Sequence, residues 1–381
     1  MKQYNLTIQK FSKPQPIPNW LQKLWRCLHI DIPLLIGLII LTVIGLFILY
    51  SAGNKNIALI SQQVSKILIA FGVMFIFAQI PPHKYKSWAP WLFFISIILL
   101  VAVLATGAIT KGAQRWLNLG LFNFQPSELM NLAMPMMLAW YLSDKHLPPK
   151  FRTIAICGIL IIIPAIITAK QPDLGTALII ACTGIFVLLL AGIGGKLIIS
   201  ITALMALSFP IVWHFMHSYQ RARVLTFLNP ERDPLGNGYH IIQSKIAIGS
   251  GGLFGKGWLH GTQSHLHFIP EHATDFIFAV CGEELGLIGC LSLLAILLYI
   301  VGRGLYISNQ AQDTFTRLLA GSLMLTFFVS FFVNIGMVTG ILPVVGLPLP
   351  LVSYGGSSMI SLMASFGIIM SIHTHRKLLS S

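Results

Sequence analysis

The stretch EHATDFIFAVCGEELGLIGCLSLLAILLYIV, residues 271–301, poses the central question of this sequence. From Phe276 onward it is apolar over a length that suits a lipid bilayer. Yet it carries Glu271, Asp275, Glu283 and Glu284, four of only eleven carboxylates in 381 residues. Ionisable groups within a span are costly and by default suggest function. The reading must therefore explain both the membrane and the acids at its edge.

Runs of similar apolarity recur along the whole chain. Hydrophobic residues make up 55% of it and charged residues 9%, far below the roughly 25% charged of a soluble domain. We read an all-α, polytopic integral membrane protein with a single membrane domain. The spans fall at approximately 33–50, 57–80, 88–106, 128–142, 152–169, 174–192, 197–216, 276–301, 315–340 and 357–372. Ten spans place both termini on one side. With each Lys and Arg assigned to the nearer side, the terminal side holds fifteen and the other ten, five of these in one long loop that the charge rule excludes. The termini are therefore expected in the cytoplasm. Residues 1–32 form an N-terminal tail, 33–372 the membrane domain and 373–381 a C-terminal tail. Residues 217–275 form a long extracytoplasmic loop between spans seven and eight. The polar, basic first 31 residues are followed by no small-residue cleavage site, so the first span is expected to serve as an uncleaved anchor.

The net charge is +14. The basic residues are dispersed over short loops, the pattern of topology signals and contact with anionic membrane lipids. No basic patch interleaved with aromatics points to nucleic acid. The five cysteines show no metal-type spacing and read as small apolar fillers. HLH at 265–267 lacks the further spaced ligands that a metal site needs.

Two outer segments do not read as ordinary connectors. Loops as long as 217–275 are usually functional, and YHIIQSKIAI (239–248) is amphipathic enough to lie on a membrane surface. The following GSGGLFGKG (249–257) suggests a phosphate-binding loop, but Ser250 stands where Gly is needed and Gly257 where Ser or Thr must bind magnesium. Glycine turns are the reading kept. The second segment, ILPVVGLPLPLVSYGGSS (341–358), is too rich in Pro and Gly for a straight helix. Irregular backbone at membrane depth must line protein or a wet cavity.

Five acids qualify as intramembrane: Glu128, Asp173, Asp275, Glu283 and Glu284. The first three sit at the outer ends of spans four, six and eight, at one depth. Asp275 and Asp173 each also suit a helix cap. Glu283 and Glu284 read as structural ties between helices. Lys170, beside Asp173, suits an anion or the lipid headgroups. In GAQRWLNLGLFNFQPSELMNL (112–132), Arg115 and Trp116 suit either interfacial anchoring or, for Arg115, a grip on phosphate.

Five stretches together resemble the SEDS family of integral membrane proteins: GAQRWLNLGLFNFQPSEL (112–129), QPDLGTAL (171–178), IIQSKIAIGSGGLFGKGWLHGTQ (241–263), FIPEHATDFIFAVCGEELGLIG (268–289) and NIGMVTGILPVVGLPLPLVSYGGSS (334–358). GKGWLHGTQ is closer to the family's elongation branch than to its septal branch. The resemblance implies a ten-span fold and peptidoglycan glycosyltransferase activity on lipid II, a disaccharide-pentapeptide carried on undecaprenyl pyrophosphate. It also implies a class B penicillin-binding protein as partner.

The family's catalytic Asp is Asp275 here. As general base it would deprotonate the attacking sugar hydroxyl, worth roughly 10²–10⁴ in rate. The departing pyrophosphate would be met by Arg115, Lys111, Arg221 or Arg223, or by a divalent cation such as Mg²⁺ or Mn²⁺. Glu128, Lys170, Asp173 and Trp116 complete the expected substrate-binding set. Direct displacement inverts the anomeric centre.

The sequence departs from the family at Asn131, where Lys is usual, and at Ala273, where His is common. Two other functions fit the same residues: a lipid II flippase that uses the buried carboxylates for ion coupling, and a non-catalytic scaffold. The absence of an internal repeat weighs against transport.

Overall fold

The computed structural model describes residues 28–110, 113–118, 123–195, 218–232, 237–265 and 271–376, with residues 199, 207, 213 and 214. Nearly all of it is helix. Helices α1 (Ile32–Ala52), α2 (Ile57–Gln79) and α3 (Pro82–Thr106) lead into three short antiparallel strands, β1 (Ala108–Thr110), β2 (Ala113–Asn118) and β3 (Asn123–Phe124). Then come α4 (Pro126–Ser143), α5 (Phe151–Lys170) and α6 (Leu174–Leu190). Helices α7 (Ser218–Leu228), α8 (Asn237–Gly251) and the short α9 (Thr262–His265) occupy the long loop. Helices α10 (Ile277–Asn309), α11 (Thr314–Thr339) and α12 (Ser357–Thr374) complete the bundle.

Seven of these helices (α1, α2, α3, α5, α10, α11 and α12) are long and apolar enough to cross a bilayer, and α6 is a shorter apolar helix. With α4, nine of the expected spans fall on helices. The seventh, 197–216, lies almost entirely outside the described residues.

Local chemistry starts these helices. Asp31, Asn56 and Asp173 accept the backbone N–H of Leu34, Leu59 and Thr176 at 2.9, 3.2 and 3.2 Å, which satisfies donors that an isolated helix end leaves open. Pro33, Pro82 and Pro126 stand in first turns, where their missing N–H costs nothing.

Burial sorts the helices into a centre and a rim. In α11 and α12, 61% of the apolar span is buried inside the protein, against 22% in α2 and α5. The outer pair present Ile69, Ile76, Ile159 and Ile166 to the surroundings, as lipid-facing helices do. Helix α12 meets α2 with almost no gap. A methyl at Gly367 would lie 2.4 Å from the Met74 carbonyl oxygen, the small-residue contact that lets membrane helices approach closely.

Helix α10 is broken at Gly286, whose φ of 67° and ψ of −163° only glycine adopts readily. A break in apolar surroundings strands backbone polar groups. Here the turn that follows α8 takes them up. The carbonyls of Glu283 and Glu284 accept the N–H groups of Lys256 and Gly257, both at 3.0 Å. The N–H groups of Leu287 and Ile288 donate to the carbonyls of Gly252 and Leu253 at 3.0 and 3.2 Å. Two helical bonds are thus opened and replaced by four to the turn. Backbone must touch backbone for this: a Cβ on Gly255 would lie 2.1 Å from the Glu284 oxygen. Gly251 and Gly255, where a Cβ would meet the Gly282 and Glu284 carbonyl oxygens, therefore serve helix repair. Helix α8 covers the amphipathic 239–248 and packs on α10 and α11, with the Ser244 hydroxyl donating to the Val338 carbonyl at 2.8 Å.

At the other end of the bundle, Asp31 gathers three helices. Arg303 of α10 donates to it through Nε at 3.0 Å and Nη2 at 2.6 Å. His373 of α12 approaches its second oxygen at 2.9 Å. Burial opposes the charge on Asp31. Hydrogen bonds from His373, Arg303 and the Leu34 N–H outweigh that and hold the carboxyl well below the usual carboxylate range.

Two outcomes follow for stability. Removing one member of a buried pair leaves its partner uncompensated, so Asp31→Ala should cost roughly 2–4 kcal/mol by thermal unfolding in detergent at pH 7. A depressed folded-state pKa gives stability that is fully present above the unfolded value of about 3.9 and is lost below it. The gap between the Asp31→Ala variant and the parent should therefore narrow as pH falls below about 4. Gly255→Ala should cost about 3 kcal/mol or more through overlap and its φ of +79°. Gly249→Ala, which meets nothing within 4 Å, should leave the midpoint nearly unchanged.

Candidate active site

Helices α4, α6, α10 and α12 begin at the end of the bundle where α1, α3, α5 and α11 finish. Contacts across that end bring together most of the acids singled out above. Between α11 and α12 the chain runs without helix from Gly340, in the left-handed conformation, to Gly356. The structure thus contains the irregular segment that the Pro–Gly pattern predicts.

This segment grips the turn that carries Asp275. Tyr354 N–H donates to the Ala273 carbonyl at 2.9 Å. The Ser353 hydroxyl donates to the Thr274 carbonyl at 2.5 Å. Asn334 Nδ2 of α11 donates to the Asp275 carbonyl at 2.9 Å and to the Leu347 carbonyl at 2.6 Å. Three consecutive carbonyls are therefore fixed from one side. Asp275 lies in this turn and not on the helix: the residue preceding α10 is Phe276, with no side-chain cap bond. The Asp275 carboxylate is half-buried beside Gly346, with Oδ2 3.6 Å from where a Cβ there would stand.

The opposite side of the same segment meets α6. A methyl on Gly175 would lie 3.2 Å from the Val345 carbonyl oxygen. Asp173 caps this helix and does more. Arg115, from β2, stands 3.5 Å from its carboxylate through Nε and donates to the Pro172 carbonyl at 2.9 Å. Gln125 Nε2 donates to Asp173 at 3.3 Å and to the Ser127 hydroxyl at 2.9 Å. Asp275 and the Arg115–Asp173 pair thus flank residues 345–347.

Glu128, in the first turn of α4, accepts the Ser361 hydroxyl of α12 at 2.9 Å. It lines a cavity of about 110 Å³ with Asn131, Thr176, Thr326, Ser358 and Ser361, roofed by Leu347–Leu351. Asp275 is not among the residues that line this cavity; it stands beside Gly346 of the segment adjoining that roof. Glu283 is fully buried and accepts Lys256 Nζ at 2.7 Å, the Thr262 hydroxyl at 3.0 Å and the Gln263 N–H at 2.9 Å. Glu284 accepts the Ser51 hydroxyl of α1 at 2.5 Å. Both acids join α10 to other elements.

The remaining candidates are spread more widely. Trp116 is half-buried on β2, and Lys170 is exposed at the end of α5. Arg221 of α7 donates to the His214 carbonyl at 2.5 Å, and to none of the three carboxylates in the described contacts. The side chain of Arg223, and Lys111, lie outside the described residues. Sequence reading passed over Asn334 and Lys66. The ammonium of Lys66 lies 3.9 Å from the centre of the Tyr354 ring, next to the clamp. A lysine inside an apolar run is the same signal that singled out the acids.

A family described as cell cycle protein (FtsW/RodA/SpoVE) matches residues 24–378. Peptidoglycan glycosyltransferase MrdB of Escherichia coli (strain K12) is 56% identical over 357 residues, covering 93% of this chain and 96% of that protein. Probable peptidoglycan glycosyltransferase FtsW of Trichlorobacter lovleyi is 36% identical over 371 residues, covering 94% and 97%. A chain from a peptidoglycan synthase complex, solved in a study of how polymerization and crosslinking are coordinated, superposes with a TM-score of 0.79 at 32% identity, covering 90% and 97%. Rod shape determining protein RodA of Thermus thermophilus superposes with a TM-score of 0.70 at 25% identity, covering 94% and 100%.

Asn334→Leu removes the donor shared by the Asp275 and Leu347 carbonyls. An unpaired buried carbonyl costs about 1–3 kcal/mol. The variant should unfold at a lower temperature in detergent by an amount matching roughly 2–4 kcal/mol, and protease should cut its Asp275 turn faster than the parent's.

Proposed function

The chain belongs to the FtsW/RodA/SpoVE family, and we propose that it is a peptidoglycan glycosyltransferase that polymerises lipid II, with Asp275 as general base. The observation that carries this reading is the clamp. It leaves a half-buried carboxylate on a turn whose backbone is fixed at three successive carbonyls. A base needs such positioning, because proton transfer demands its oxygen within about 2.6–3.2 Å of the hydroxyl it serves.

The reaction assigns work to the neighbours. An acceptor sugar hydroxyl gives its proton to Asp275 as its oxygen attacks the anomeric carbon of the donor. The bond from that carbon to the lipid pyrophosphate breaks, and the bonding pair leaves with the phosphate. Attack from the opposite face inverts the centre. Arg115 is held by Asp173 and the Pro172 carbonyl in a fixed orientation and supplies preorganised positive charge for the leaving group. Arg221 and Arg223 of α7, with Lys170 and Trp116, remain the further candidates for contact with the substrate. Among the described residues no group of three or more His, Cys, Asp or Glu gathers as a metal centre. A divalent cation such as Mg²⁺ or Mn²⁺ would accordingly take most of its ligands from the pyrophosphate and water.

The remaining assignments follow from the membrane reading. The apolar helices and the family make the chain a polytopic membrane protein, and the reading assigns it to the bacterial cytoplasmic membrane. The bias of Lys and Arg in short loops assigns both termini to the cytoplasm and Asp275 to the outer face, with 33–372 as one membrane domain and 217–275 as the outer loop. The likeness to a chain from a peptidoglycan synthase complex supports a class B penicillin-binding protein as partner. Glycan strands would then be polymerised and cross-linked together during elongation.

The test is polymerisation of lipid II by purified protein in detergent, with and without the partner. The parent should make glycan strands. Asp275→Asn should lower the rate by at least about 100-fold with no loss of thermal stability. Glycan made at the parent rate by well-folded Asp275→Asn would remove the assigned base. No glycan from the parent under any of these conditions would favour a flippase or scaffold.

A further inference from the structure

The cavity beside Glu128 holds a carboxyl group with no cation against it among the described residues. Ser361 donates one hydrogen bond to the carboxylate, and the Asn131 amide lies close enough for a second. Both are neutral. Among the described residues, the charge that acts on Glu128 is that of Asp173, and it repels. Arg115 is taken up by Asp173 itself, and Lys66 lies against the Tyr354 ring. One turn along α4, the Oδ1 atom of Asn131 is buried with no hydrogen-bond partner. Thr176, Thr326, Ser330, Ser358 and Ser365 add hydroxyl oxygens to the cavity wall. An ionised carboxylate and an orphaned amide oxygen are each unfavourable inside a bundle of apolar helices. They share one space.

We propose that this cavity is a binding site for a monovalent metal cation, Na⁺ or K⁺, held by Glu128, the Asn131 side-chain oxygen and the surrounding hydroxyls. The donors are all oxygen, as hard cations require. One carboxylate balances one positive charge, whereas a divalent ion would leave an excess charge buried. The volume of about 110 Å³ accommodates an ion with two or three waters at roughly 30 Å³ each. The bound ion joins α4 to α12 beneath Leu347–Leu351, the stretch that Asn334 ties to the Asp275 turn. Its occupancy therefore stiffens the floor of the clamp. The proposal stands apart from the polymerase reading, and its readout is binding.

The experiment uses the full chain in nanodiscs of uncharged lipid. The unfolding midpoint is followed as NaCl or KCl replaces N-methylglucamine chloride at constant ionic strength. The parent should show a saturable rise with Na⁺, K⁺ or both, since a ligand that binds only the folded state stabilises it. The apparent affinity should fall by about tenfold or more in Asn131→Ala. The rise should vanish in Glu128→Gln. Asn131→Lys brings an ammonium into the cavity and should be stable without added Na⁺ or K⁺. The proposal is overturned by a parent midpoint indifferent to both cations, as expected if a proton neutralises Glu128. It is equally overturned by a cation response that survives undiminished in Asn131→Ala and Asn131→Lys, which keeps the test decisive should Glu128→Gln fail to fold.

Discussion

Backbone polar groups that lie among apolar helices must be paired, and most of the unusual features of this protein answer that requirement. A continuous helix meets it alone. Where helix α10 breaks at Gly286, it is met by an inserted turn. Where the chain abandons helix altogether between α11 and α12, it is met by side chains and by the neighbouring turn. Asn334, Ser353 and Tyr354 serve as donors to the loop that carries Asp275. Asp275, the proposed base, is positioned by the same bonds that make irregular backbone tolerable inside a bundle. Structure and chemistry therefore share a cause here.

The scarce charges follow a similar logic. Asp31 gathers Arg303 and His373 at one end. Glu283 gathers Lys256, Thr262 and a backbone N–H at the other. Asp173 takes up Arg115. Each ties elements far apart in sequence, and each removes a charge that the surroundings would otherwise oppose. Glu128 stands apart from this pattern: it lines the cavity beneath the irregular segment, where its described partners are neutral.

The span architecture was legible because apolar runs of bilayer length have few alternative readings, and nine of them fall on helices, seven within two residues of the expected limits, while α3 starts six residues earlier and α10 ends eight later. The acids were legible as a group because rarity made them conspicuous. What each acid touches was not. Glu283 and Glu284 are adjacent, yet one meets the long loop and the other meets Ser51, because a helix turns about 100° per residue. The sequence likewise gave no sign that 249–257 would enter a broken helix. A glycine run indicates close approach without naming the partner. Asp275 had every mark of a helix cap, since Thr-Asp before an apolar run is what a cap looks like locally. Contacts with residues some sixty to eighty positions later fix the backbone of the turn that carries it. Such contacts have no local signature.

The repaired break in α10 has a consequence for how the chain is made. As a lone segment in lipid, residues 277–301 would expose two acids and four unpaired peptide groups. The described partners that quiet them — the turn 252–257, Lys256, Thr262, Gln263 and Ser51 — precede the segment in the chain. Those partners have already left the ribosome when the eighth span reaches the translocon, so the segment can exchange the aqueous channel directly for a prepared groove. A circular permutation that moved residues 249–263 behind this span would preserve every contact of the finished protein while reversing the order of arrival. It would leave the segment waiting, unsatisfied, in the bilayer.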